Sequence, residues 1–103
     1  MRAKAWNNGR HHASGAGYGI KLSAGDRDRV FMPEWKTVQL DVPGQGITPV
    51  ALSDSFWRRC SELRSAALGR WLRQNGMAPW PKGQPPTLLI EQLGGNTFRV
   101  SAP

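Results

Sequence analysis

The chain is short of cysteine, of acidic residues and of long apolar runs, and each shortage closes a class of explanation. A single cysteine, Cys60, excludes an internal disulfide and a cysteine-rich zinc site, and leaves the role of a small buried hydrophobe. No apolar stretch approaches membrane-spanning length and no signal-peptide pattern opens the chain, so no membrane partner is expected and the cytoplasm is the expected location. Carboxylates are few. Asp26 and Asp28 stand two apart, but each has an arginine neighbour and no third carboxylate lies near, which describes a solvated turn with local ion pairs. His11 and His12 are adjacent, would point opposite ways on a strand, and have no second Cys/His cluster to join. Neither group forms a catalytic or metal-binding constellation, so the expectation is a protein that is not an enzyme and uses no cofactor or metal.

Positive charge is what the chain has in excess. Across 103 residues, 14 Lys and Arg face 7 Asp and Glu, for a net charge of +7. Ten of the 14 are Arg, whose planar fork matches phosphate better than an ammonium does. Such a balance points to a polyanionic partner, nucleic acid ahead of an acidic membrane surface; the nucleic acid expected is DNA rather than RNA. The expected phosphate contacts are Arg2, Lys4, Arg10, Lys21, Arg27 and Arg29, then Arg58 and Arg59. Contacts of that kind position a protein on nucleic acid without choosing a sequence.

Read in order, residues 1–16 are polar, basic and rich in small side chains, which predicts a flexible arm, with a short strand at Ala5 and Trp6 at most. Residues 17–103 are expected to form one globular domain. Tyr18, Ile20 and Leu22 alternate with Gly19, Lys21 and Ser23, a half-buried strand with Lys21 outside. Val38, Leu40 and Val42 mark the inner face of another strand. Pro43-Gly44-Gln45-Gly46 turns it into a hairpin partner ending near Leu52. Ser53 or Asp54 caps a short helical turn whose Phe56 and Trp57 face inward while Arg58 and Arg59 face out.

The main helix is predicted from Ser61 as N-cap to a stop at Gly76. Leu63, Ala67, Leu68, Trp71 and Leu72 lie on one face, and Arg64 falls inside the apolar arc, where it does not fit. The prolines of residues 79–86 forbid further helix. Thr87 to Leu93, Gly94-Gly95-Asn96 and Thr97 to Ser101 then read as a closing hairpin, onto which Trp71 should pack the helix. Trp35, Trp57 and Trp71 are expected to differ in exposure from Trp6 and Trp80. The fold class that follows is α+β: a small, partly open antiparallel β-barrel (pseudobarrel) with one main α-helix.

Gly69, Trp71, Leu72, Asn75, Gly76 and Met77, then Pro81-Lys82-Gly83, the Leu88-Leu89-Ile90 strand and Phe98 with Val100, resemble the plant-type B-three DNA-binding pseudobarrel, also found in DNA-reading domains of some restriction endonucleases. Lys21, Leu22 and Asp26 resemble that family's Lys-x-Leu and Ser-Asp elements. Arg70 splits its Gly-Trp pair, residues 80–83 replace its Gly-Asp turn, and little helix is expected between Arg27 and Glu34. The resemblance implies a non-catalytic DNA-binding module, with Lys21, Arg27 and Arg29 beside the barrel mouth. The alternative is a protein-interaction subunit of a larger assembly. It would use Trp80, Pro81 and Lys82 in the stiff loop 79–86, which loses little entropy on binding.

Overall fold

A computed structural model describes all of residues 1–103, and its clearest strands follow runs that alternate between apolar and polar side chains. The strands are β1 (Arg2–Asn7), β2 (Tyr18–Lys21), β3 (Thr37–Val42), β4 (Gly46–Ala51), β5 (Glu62–Arg64), β6 (Thr87–Gly94) and β7 (Thr97–Ser101). Three helices interrupt them: α1 (Ala24–Val30), α2 (Asp54–Arg58) and α3 (Ala66–Gln74). Each starts on a serine whose hydroxyl accepts a free first-turn amide: Ser23 from Asp26, Ser53 from Phe56 and Ser65 from Leu68.

The sheet order is β4-β3-β7-β6-β1-β2-β5. Its edge strands β4 and β5 approach each other without a hydrogen-bonded ladder, so the sheet curls into a nearly closed barrel. All neighbours are antiparallel except β3 and β7, which run parallel and place Leu40 beside Phe98. The barrel is therefore mixed rather than antiparallel. The inner faces supply Val38, Leu40, Val42, Ile20, Leu63, Leu88, Ile90, Phe98 and Val100, all essentially inaccessible to solvent. Phe31, just past α1, stacks on Phe98 with ring centroids 4.9 Å apart and closes one end of this core. Full burial of each such side chain contributes roughly 1.5–3 kcal/mol.

Several expectations change. Arg2–Asn7 is not part of an arm: it is β1, paired with β6 on one side and β2 on the other, with Ala3 and Ala5 in the core. The main helix begins at Ser65, not Ser61. Glu62–Arg64 pairs instead with β2, which sends Leu63 inward and Arg64 outward. α1 occupies the stretch expected to hold little helix, with Asp26 paired to Arg29 and Arg27 to Asp28 along it. α3 packs chiefly on β2 and β3, and its Leu68, Trp71 and Leu72 share one core with Leu88, Ile90, Phe98 and Val100 of the C-terminal hairpin. Only Trp71 among the five tryptophans is buried, while Trp6, Trp35, Trp57 and Trp80 are all half-buried. Cys60 is half-buried and free.

The loop between β1 and β2 lies directly on α3. A Cβ at Gly69 would overlap the Gly15 carbonyl oxygen, and one at Gly15 would overlap the Ala66 carbonyl oxygen. Arg70 Nη1 donates to the Ser14 carbonyl at 3.2 Å, a second tie between the same segments.

Candidate nucleic-acid interface

Because Ala3 and Ala5 point inward, Arg2, Lys4 and Trp6 point outward from β1. Register then sets their neighbours. Lys4 lies opposite Thr87 on β6 and Lys21 on β2, and Lys21 lies opposite Glu62 on β5. One step along the sheet, Trp6, Gly19 and Arg64 form the next row. Gly19 has no side chain to separate its neighbours, and a Cβ there would press on the Leu63 carbonyl. The Arg64 guanidinium therefore reaches across it and sits 4.9 Å from the centre of the Trp6 ring, in cation–π contact. The same guanidinium is 3.4 Å from the Glu62 carboxylate.

Two hollows open on this face and share Lys4 and Lys21. One, of about 550 Å³, is lined by Trp6, Asn7, Trp80, Lys82, Gly83 and Pro85 besides the two lysines. The other, of about 390 Å³, adds Arg2, Ser23 and Thr87. No carboxylate lines either hollow. The four ion pairs of the protein leave out Arg2, Lys4, Lys21 and Lys82, and Lys4 Nζ donates only to Thr87 Oγ1, at 2.8 Å. Like charges directly opposite on adjacent strands destabilise a sheet, so Lys4 and Lys21 repel each other, with Glu62 on the far side of Lys21 as the nearest cross-strand carboxylate.

The other sequence-predicted contacts scatter. Arg10 is exposed in the loop between β1 and β2. Arg58 ends α2, Arg59 follows it, and both border a separate shallow hollow with Asp54 and Ser55. Arg29 is 70% exposed on α1 and paired with Asp26. Arg27 is turned inward. Its side chain is 12% exposed, and its Nη1 donates to the Phe56 carbonyl (3.1 Å) and to Ser61 Oγ (3.2 Å), while Nε holds Asp28 at 2.9 Å. That geometry makes Arg27 a clasp between α1 and the segment leading into β5, not a residue open to a phosphate.

Trp80 and Lys82, singled out for a protein partner, line the same hollow as Lys4 and Lys21, chosen for phosphate; Pro81 is exposed between them. Behind Trp80, the buried Tyr18 ring lies at 5.8 Å between centroids, and the Tyr18 hydroxyl is 3.1 Å from His11 Nδ1. Trp6 and Arg64 are the participants that sequence reasoning missed. The misfit of Arg64 in an apolar helical arc was the available signal. His12 Nδ1 accepts from the Ser14 amide, and no group of three or more His, Cys, Asp or Glu side chains stands together. No helix is long and apolar enough to cross a membrane. No protein-family model matches the chain, and neither a curated protein nor a solved structure matches it.

Proposed function

We propose that this protein is a non-catalytic nucleic-acid-binding module that holds duplex DNA through the outer face of β1, β2 and β5 and the loop 79–86. The observation that carries this reading is the convergence of Arg2, Lys4, Lys21 and Lys82, none ion-paired, with Trp6 and Trp80 around two joined hollows free of carboxylates. Ammonium and guanidinium groups suit a phosphate backbone, which every duplex presents along its outside. The B-three resemblance points the same way. The titratable groups a nuclease would need are otherwise engaged: Asp26 and Asp28 with arginines, His11 with Tyr18 and His12 with Ser14.

The test is a fluorescence-anisotropy titration of labelled duplex DNA at several salt concentrations. Four phosphate contacts, at about −0.9 each, give a slope of about −3.6 in log affinity against log salt, a loss of roughly 150-fold between about 50 and 200 mM. Lys21→Gln should flatten that slope by about 0.9 and weaken all sequences alike. Arg58→Gln, on a separate hollow, should leave it nearly unchanged. No detectable binding to duplex or single-stranded probes at low salt refutes the proposal and makes the Trp80 loop, with a protein partner, the first reading.

A further inference from the structure

The larger hollow is more than a phosphate cradle. Its walls are two tryptophans from different parts of the chain: Trp6 on β1, and Trp80 in the proline-rich loop. Each also touches a group that does not line the hollow. Arg64 lies over the Trp6 ring, and Tyr18 backs Trp80. Lys4 and Lys21 stand at the rim shared with the second hollow, where Arg2 and the hydroxyl-bearing Ser23 and Thr87 continue the polar track. Asn7, whose Oδ1 accepts the Gly9 amide, leaves its side-chain NH2 to donate. The hollow is open to solvent, and at about 550 Å³ it has room for a planar ring system. A regular duplex offers such a site nothing planar, because its bases are stacked inside.

We infer that the hollow between Trp6 and Trp80 receives one unstacked nucleobase of a DNA strand, whose flanking phosphates lie along Lys4, Lys21 and Arg2. The inference rests on the nucleic-acid reading above and refines it: the preferred target is DNA carrying an unpaired base. Aromatic side chains hold an exposed base by stacking in a sequence-tolerant way, and lysines at the rim supply charge without base choice. Trp6 and Trp80 bring little conformational entropy to the contact, since each is already packed on one side.

The experiment uses two DNA hairpins of one sequence, one fully paired and one with a single bulged 2-aminopurine, titrated with the intact protein at low salt. The bulged hairpin should bind about tenfold more tightly, since base–aromatic stacking is of that order, and its 2-aminopurine emission should be quenched on binding. Trp80→Leu should remove the preference while the paired hairpin still binds. Lys21→Gln should weaken both probes equally. Because Trp80 also packs on Tyr18, a melting curve accompanies that variant, and the emission of the wild-type complex decides the matter if Trp80→Leu does not fold. Equal affinity for both hairpins with unquenched emission overturns the inference and leaves the duplex reading standing. Failure of both hairpins to bind overturns both. A mononucleotide such as dAMP bound as tightly as the bulged strand also overturns it, since the hollow is then a small-molecule site.

Discussion

Arg27 is a cation built into the fold, and its removal has a calculable cost. Arg27→Met keeps most of the side-chain bulk but deletes the guanidinium that ties α1 to the Phe56 carbonyl and to the buried Ser61 hydroxyl. Hydrogen bonds to a charged group contribute about 1.5–3 kcal/mol each, and an acceptor left unpaired in a dry setting adds to the loss. The ion pair with Asp28 contributes little, because Asp28 is 65% exposed and such pairs are worth about 0–1 kcal/mol. Residual solvent access at Arg27 trims the two bonds as well, which leaves about 3 kcal/mol in total. For a domain of this size each kcal/mol lowers Tm by about 4–8 °C, so the expected drop is roughly 12–24 °C. Thermal unfolding followed by circular dichroism reads it directly. Arg27→Lys should fall between, since an ammonium reaches one acceptor but cannot fork to two. A Tm within about 4 °C of wild type, accompanied by loss of DNA affinity, would refute the reasoning and return Arg27 to the binding surface.

Deleting Met1 to Gly9 removes β1 from between β6 and β2 along with Ala3 and Ala5 from the core, so the truncated chain should show no cooperative unfolding transition by calorimetry. Gly69→Ala forces a methyl group into the Gly15 backbone; it should cost about 1–3 kcal/mol in urea denaturation and speed amide exchange in residues 8–17.

Much of the barrel is legible in the sequence because its signals are local. Val38, Leu40 and Val42 declare their face by alternation, and Gly94-Gly95-Asn96 declares a turn between two strands. β1 is not legible, because alanines carry its core face: Ala3 and Ala5 give almost no apolar signal beside Arg2, Lys4 and Arg10. β5 fails for a different reason. It has three residues, and Leu63 continues the helical pattern of Ala67, Leu68 and Trp71, so the pairing with β2 outweighs local preference. The candidate site divides along the same line. Lys4, Lys21, Trp80 and Lys82 are visible by residue type, whereas the Trp6–Gly19–Arg64 row exists only once register is set. Arg27 misleads because its acceptor on Phe56 lies 29 residues away in sequence.

The sheet order also carries a consequence for synthesis. β4-β3 on one side and β1-β2-β5 on the other share no ladder; α3 packs on β2 and β3, but strand pairing joins the two sub-sheets only when the β6–β7 hairpin slots between β1 and β3. A nascent chain therefore emerges from the ribosome with most of its strands made and no ladder between its two sub-sheets, the β1 and β3 edges open, until Thr87–Ser101 is free. Pairings this distant in sequence form late and slowly, and open edges invite association in the meantime. Translation that stalls before Thr87 would release two half-sheets competent to pair with another chain, so the hairpin that completes the barrel also ends its exposure to self-association.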